Sequence, residues 1–328
     1  MRAVNGPPLL EIHGLTTHYV SARGTRVTRA VQDVSFTLRD GETLGIVGES
    51  GSGKSTLALS LLRLLPPAAR TVAGSVRFEG EDLLAKPEAE MRRIRGKRIA
   101  MILQDPMASL NPLFTVGDQV AEPLRVHEGA SRRSAWERAR ELLASVRIAA
   151  PGMRVRNYPH ELSGGMRQRI VGAIAISCGP RLLIADEPTT SLDVTIQAQY
   201  LALLRDLQRA QGLALIFITH NLGIVARMCD AVAVMYAGRI VESGPVREIF
   251  NAPRHPYTRA LIESIPRLGE SNGRLTAIEG QPPDPAALPE GCAFHPRCPV
   301  RLEKCASERP RDSVVGGGGH RTACWLHG

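Results

Sequence analysis

The stretch Gly48-Glu49-Ser50-Gly51-Ser52-Gly53-Lys54-Ser55-Thr56 fits G-x-x-x-x-G-K-[ST] without a mismatch. The apolar segment Thr43 to Val47 leads into it, and the apolar segment Leu57 to Leu62 leads out. Strand, glycine loop and helix in that order form the setting this motif requires. Glycines let the backbone wrap closely, so that successive N–H groups point at phosphate oxygens. The start of the following helix adds a favourable field for anions. Gly48, Ser50, Gly51, Gly53, Lys54, Ser55 and Thr56 are therefore the expected nucleotide contacts. Lys54 is expected to reach the β- and γ-phosphates, and Ser55 to ligate Mg²⁺.

Composition narrows the class. The chain has 328 residues, 43% hydrophobic and 22% charged, which suits a globular protein of one large or two small domains. Net charge is +9. The arginines are scattered through helical stretches rather than gathered in a block, and aromatics make up only 4%. A solvated basic surface is expected, without a nucleic-acid partner. The N-terminus is interrupted by Pro and Gly and reads as no secretory signal. No apolar run approaches the ~18 residues that span a bilayer.

In chain order, Leu9 to Val20 and Val27 to Leu38 read as antiparallel strands, the second alternating at Val34, Phe36 and Leu38. Tyr19 ends the first strand and suits either base stacking or the core. The helix after the phosphate loop is expected to stop near Leu65, before Pro66-Pro67. Gly74 to Leu83 reads as strand and turn, Pro87 to Arg95 as a short basic helix, and Lys97 to Leu103 as a strand ending on Gln104. From there to Pro159 the pattern is helical, with Trp136, Ala139, Leu143 and Val146 on one face and a start at Ser131, Ser134 and Glu137. A helix opens at Leu162-Ser163-Gly164-Gly165 and runs through Ile176. Arg181 to Glu187 is an apolar strand ending in two carboxylates. Thr195 to Arg209 is an amphipathic helix with Ile196, Tyr200, Leu203 and Leu207 on one face. Leu213 to Thr219 is a strand with His220 at its tip, and a further helix, a strand from Ala231 and a hairpin at Gly238 follow. Strands alternating with helices predict an α/β fold with a mostly parallel sheet.

A phosphate loop needs an acidic partner at the end of an apolar strand, and Asp186 meets that need as a Mg²⁺ ligand. Glu187 beside it is placed to polarise an attacking water. His220 is expected to reach the γ-phosphate, and Gln104 to touch both Mg²⁺ and the water.

Taken together the segments resemble an ABC-type ATPase over about residues 9 to 265. The Walker A segment is Gly48 to Ser55, the Q-loop Gln104, and the Walker B segment Leu182 to Asp186 with Glu187. The signature is Leu162 to Gln168, the D-loop Ser191-Leu192-Asp193, and the switch histidine His220; Tyr19 matches the aromatic A-loop position. The resemblance implies an ABC-type P-loop ATPase core, mostly parallel sheet with helices plus an antiparallel β subdomain, over residues 1-268. It also implies an inserted α-helical subdomain at about 105-179, then a Pro/Gly-rich extension over 269-328. It further implies ATP and Mg²⁺ as ligands and a head-to-tail pair with a second ATPase subunit. In such a pair, Ser163 and Gly165 at their helix start form a second anion site for the neighbour's nucleotide.

Three narrower segments, Gln104 to Pro112, Tyr158 to Glu161 and His255 to Leu261, resemble the ATP-binding subunits of dipeptide and oligopeptide importers. That implies two transmembrane permease subunits, an indirect substrate-binding protein, and a place on the cytoplasmic face of the cell membrane. An ATPase of a nickel importer is the alternative within the family, and a non-transport ABC ATPase the alternative beyond it. There is one Walker A segment and no sustained heptad run, which opposes the latter. Phe114, in a segment of turn formers, is a candidate for docking on a permease or for packing inside the helical subdomain.

The extension carries Cys292, Cys298, Cys305 and Cys324. Four thiols suit Zn²⁺ or an iron–sulfur cluster, or remain free or disulfide-linked. The family resemblance favours a [4Fe–4S] cluster, with Zn²⁺ as the alternative. The segment from Gly269 onward is too poor in apolar residues to be expected to build much of a core.

Overall fold

The computed structural model describes residues 6–105, 109–190, 192–265, 278–316 and 319–327. In chain order its elements begin with β1 (Leu10–Val20), β2 (Val27–Leu38), β3 (Thr43–Val47), α1 (Lys54–Leu61), β4 (Ala69–Phe78) and β5 (Glu81–Asp82). Then come α2 (Glu88–Ile94), β6 (Ile99–Ile102), α3 (Val116–Glu128), α4 (Arg132–Ser145), α5 (Pro151–Arg154), α6 (Gly164–Ile176), β7 (Leu182–Asp186) and α7 (Val194–Gln211). The chain continues through β8 (Ala214–Ile218), α8 (Leu222–Met228), β9 (Ala231–Tyr236), β10 (Arg239–Pro245), α9 (Val246–Asn251), α10 (Pro256–Glu263), β11 (Ser313–Val314) and β12 (Arg321–Thr322). The expected boundary near residue 269 lies outside the described residues, as do Pro106, Met107 and Ala108 of the Q-loop segment, Ser191 of the D-loop, and Gly317 and Gly318.

The chain forms two compact units. The first comprises Met1–Arg39, Thr43–Leu84 and Phe217–Gly328. In it β1 and β2 pair antiparallel, from Leu10 opposite Leu38 to Val20 opposite Val27, in an antiparallel sheet of order β2-β1-β4-β5. The expected hairpin is thus present. β4 starts at Ala69, earlier than the expected Gly74. The same unit holds β3 parallel to β9, then β10, β12 and β11 in antiparallel succession. All five residues of β3 are buried, as a strand covered on both faces must be. Helix α1 ends at Leu61, before the expected Leu65: Arg63 adopts a left-handed φ of 53°, which breaks the helix ahead of the proline pair.

The extension has little core of its own and uses that of this unit. Phe294 is buried among Tyr236, Tyr257, Val246 and Ile249, with Ile278, Leu288, Cys292 and Cys298 packed against them. Three aromatic rings meet there, with centroids 4.6 Å apart for Tyr236 and Tyr257, and 5.3 and 5.4 Å from Phe294 to each. Glu242 on β10 is buried and accepts from the Arg254 and His255 N–H groups at 2.7 and 2.9 Å, and its carboxylate lies 2.7 Å from His320 Nε2.

The second unit comprises Asp40–Glu42 and Ala85–Ile216. β6 and β7 pair in parallel, Ile99 opposite Leu182 and Ile102 opposite Ala185. Its helices start where side-chain oxygens cap them: Thr115 accepts from Asp118 N–H (3.2 Å), Ser131 from Ser134 N–H (3.2 Å) and Asp193 from Ile196 N–H (3.0 Å). Ala139, Leu143 and Val146 are fully buried, as their spacing predicted. Trp136 on the same face sends its indole N–H to Asp118 instead, at 3.2 Å. Among the described residues no helix is long and apolar enough to cross a membrane.

His255 caps α10 through Nδ1, which accepts from Tyr257 N–H at 3.1 Å. Burial, and secondarily the charge of His327, lowers its pKa from the ordinary value to about 3. The folded state therefore holds a neutral imidazole, while an unfolded chain takes up a proton below about pH 6.5. This contribution is present above that pH and is lost as pH falls from there toward 3. Thermal unfolding is predicted to lose about 2 kcal/mol of stability between pH 7 and pH 5 from this group, and His255→Asn, which can still cap, should flatten that slope. Parallel pH profiles for both proteins would refute this.

Candidate functional site

The first unit supplies the phosphate loop. β3 delivers the chain to Gly48, and α1 begins at Lys54. Gly51 and Gly53 lie at φ 78° and 101°, and a Cβ on Gly53 would fall 2.1 Å from the Ala30 carbonyl oxygen. Only glycine permits that conformation at that approach. The loop is braced from outside: Gly238 N–H donates to Ser52 O at 3.0 Å, and the Gln32 side chain holds Ala237 O at 2.9 Å. Lys54 is only 6% exposed. Its Nζ donates to Gly48 O (2.8 Å), Glu49 O (2.9 Å) and Ser52 Oγ (3.4 Å), so the ammonium is held against the loop rather than extended into solvent.

Ser55 stands exposed on the first turn of α1, and Thr56 follows half-buried. Tyr19 Oη lies 3.3 Å from Thr56 Oγ1, which brings the aromatic at the end of β1 to the helix that carries the loop. His220 follows β8 as an exposed residue, and Asn221 after it caps α8, accepting from Ile224 N–H at 3.3 Å.

The second unit supplies the carboxylates. Asp186 ends β7 and is 4% exposed. Glu187 has φ 45°, a left-handed backbone that costs a non-glycine residue free energy and tends to occur at functional sites. Its Oε2 accepts from Gln104 Nε2 at 3.3 Å and from Thr190 Oγ1 at 3.0 Å. Two residues singled out from separate strand ends are thus joined directly, and Thr190 is a partner the sequence did not reveal. Ser163 caps α6, accepting from Met166 N–H at 3.4 Å. A Cβ on Gly165 would meet Ile196 at 2.7 Å, so this glycine is required by the packing of α6 on α7, while Gly164 faces open space. Leu113 and Phe114 are 81% and 54% exposed, so Phe114 does not pack inside its unit.

Within the second unit, Asp186 and Gln104 carry oxygen donors of the kind a hard cation takes. The four-cysteine expectation fares differently. The thiols are half-buried and free. They are near enough to act on one another: Cys292 is pushed up to about 11, chiefly by burial, with further upward contributions from Cys305, Cys324 and Cys298. Yet among the described residues no group of three or more His, Cys, Asp or Glu side chains is arranged to hold a metal ion. The expected iron–sulfur or zinc site is therefore not formed by this arrangement. At Cys292, Cys298 and Cys324 burial favours the neutral thiol and so opposes the thiolate state a metal requires.

Sequence reasoning also missed Tyr257 and Arg297. Tyr257 Oη accepts from the backbone N–H of Glu49 at 2.9 Å, and Arg297 pairs with the Glu49 carboxylate at 2.7 Å. Both lie more than 200 positions from the loop, and no local pattern announces such contacts.

Residues 31–190 match the ABC transporter family model, and residues 241–305 match the model of the oligopeptide/dipeptide transporter C-terminal region. The chain is 53% identical to a probable peptide ABC transporter ATP-binding protein, y4tR, of Sinorhizobium fredii, over 97% of this chain and 94% of that one. It is 48% identical to the oligopeptide transport ATP-binding protein OppD of Salmonella typhimurium, over 94% of this chain and 91% of that one. Among solved structures, the dimeric post-hydrolysis state of the ATP-binding cassette MJ0796 bound to ADP and Pi aligns with a TM-score of 0.65 at 26% identity. It covers 73% of this chain and 99% of that one.

Gly53→Ala places a methyl where a carbonyl oxygen already stands and forces an unfavourable φ. Stability should fall by about 2 kcal/mol or more, and binding of a fluorescent ATP analogue should be lost. Unchanged melting and binding would contradict the loop geometry.

Proposed function

This chain belongs to the ABC transporter family of ATPases, and on that premise we propose that it is the ATP-hydrolysing subunit of a membrane importer of di- and oligopeptides. The single observation that carries the peptide reading is the match of residues 241–305 to the peptide-transporter C-terminal region.

The chemistry follows from the residues. The loop N–H groups and Lys54 bind the phosphates, with Ser50, Gly51 and Thr56 lining the cradle and Tyr19 against the base. Ser55, Asp186 and Gln104 hold Mg²⁺, which neutralises phosphate charge when bound. Glu187 accepts the proton of the attacking water, and Gln104 and Thr190 fix its carboxylate by donating to it. His220 contacts the γ-phosphate. Ser163 and Gly165 present the start of α6 to the nucleotide of a second ATPase subunit, so that one chain alone lacks a complete site. Residues 1-268 act as the ATPase domain and 269-328 as the extension. Two permeases receive the motion, with a binding protein delivering peptide from the other side, and the chain works on the cytoplasmic face of the membrane.

The exposed pair Leu113 and Phe114 supports a permease-facing surface. The four thiols enter this reading as ligands of one [4Fe–4S] cluster, with Zn²⁺ as the alternative. Support comes from donor chemistry and mutual proximity; their present arrangement does not fit, and no step of the reaction passes through them.

Glu187→Gln is predicted to keep ATP binding and cut turnover by ~10²-fold or more in the assembled complex; near-normal turnover would remove Glu187 from this role. Phe114→Asp should abolish uptake while nucleotide binding persists, and full uptake by a folded variant would refute the docking surface. Iron and sulfide in anaerobically purified protein, or one equivalent of zinc, would show that the thiols rearrange around a metal; protein with neither iron nor zinc would end the metal reading.

A further inference from the structure

Glu49 is an awkward residue for a loop that binds a polyanion. Its carboxylate sits one residue after Gly48 and would repel phosphate oxygens if left uncompensated. The extension answers that charge. Arg297 Nη1 donates to Glu49 Oε2 at 2.7 Å, and Nη2 to Oε1 at 3.1 Å, a two-pronged charge-assisted pair. The other donors of the guanidinium are used as well: Nη1 also reaches Tyr236 Oη (3.2 Å), Nη2 the Ile278 carbonyl (3.3 Å) and Nε the Glu279 carbonyl (3.0 Å). The Arg297 side chain is 4% exposed. Its guanidinium lies 5.8 Å from the Tyr236 ring centroid and 5.9 Å from that of Phe294. Five N–H donors with five acceptors, in a pocket walled by aromatics, fix the fork in one orientation.

Glu49 is gripped a second time through its backbone, whose N–H goes to Tyr257 Oη at 2.9 Å. That tyrosine packs on Tyr236 and Phe294. Side chain and main chain of one loop residue are thus held by residues that follow the cassette's catalytic segments in sequence.

We propose that Arg297 is a positioning residue for nucleotide binding: through Glu49 it cancels the loop's own negative charge and holds the loop in its phosphate-binding conformation. The inference rests on the reading of the chain as an ATPase. It makes the extension a working part of the nucleotide site. It also separates two roles that look alike, since a merely structural anchor would act through packing, whereas this one acts through the charge of Glu49.

The test is titration of full-length protein with a fluorescent ATP analogue and Mg²⁺, together with KM and kcat in the assembled transporter. Arg297→Gln is expected to weaken binding about tenfold and raise KM similarly, with kcat within about twofold. Glu49→Gln alone should change binding by less than about threefold, and Arg297→Gln with Glu49→Gln should recover most of the loss. Raised salt should narrow the gap between wild type and Arg297→Gln. If Arg297→Gln does not fold, Arg297→Met carries the test: it removes the charge and keeps an apolar stem among the aromatics, so binding should weaken about tenfold and be largely restored by Glu49→Gln. Wild-type affinity in a folded Arg297→Gln or Arg297→Met protein, or a defect that Glu49→Gln does not relieve, overturns the proposal. If the wild-type chain itself binds no nucleotide, the ATPase reading falls and this inference falls with it.

Discussion

A bend of backbone that only glycine can make is the constraint on which the site depends. Gly53 turns the chain at φ 101° under the Ala30 carbonyl, and Lys54 at the next position folds its ammonium back onto Gly48 O and Glu49 O. Oriented N–H groups and a nearly buried cation are costly to assemble from a flexible segment. The surrounding unit meets that cost by bracing: β3 enters fully buried, the Ala237–Gly238 turn clasps Ser52 from one side, and Tyr257 holds Glu49 from another. Much of the first unit can be understood as scaffolding for nine residues.

The carboxylate side obeys a related logic. Glu187 is held in a left-handed backbone conformation with two donors on one carboxylate oxygen. A hydrogen-bonded carboxylate held in this backbone conformation next to the buried Asp186 suits the general-base role proposed for Glu187.

Legibility followed the range of the interaction. Contacts within a few residues could be read directly: the glycine loop, the Leu10–Val20 and Val27–Leu38 hairpin, the caps at Ser131 and Ser163, and the buried stripe of Ala139, Leu143 and Val146. Strand ends placed Gln104 and Glu187 as partners in chemistry, though not their hydrogen bond. What could not be read was long-range or depended on what a segment packs against. Composition made the extension look coreless, but Phe294 borrows the aromatic core of Tyr236 and Tyr257. Arg297 looked like one more of many arginines until its five acceptors were assembled from Glu49, Tyr236 and the adjacent Ile278 and Glu279. The early end of α1 came from the backbone of Arg63, where proline seemed the obvious breaker. Cysteine count suggested a metal centre, while among the described residues the half-buried thiols are not arranged to form one.

As the proposed motor of a peptide importer, this chain depends most on the ammonium of Lys54. The decisive measurement is uptake of a labelled oligopeptide by cells that keep the permeases and binding protein but lack this subunit, complemented with wild type or with Lys54→Ala at matched expression. Wild type is predicted to restore uptake and Lys54→Ala to restore none. Full uptake with Lys54→Ala, or no restoration by wild type, would contradict the account.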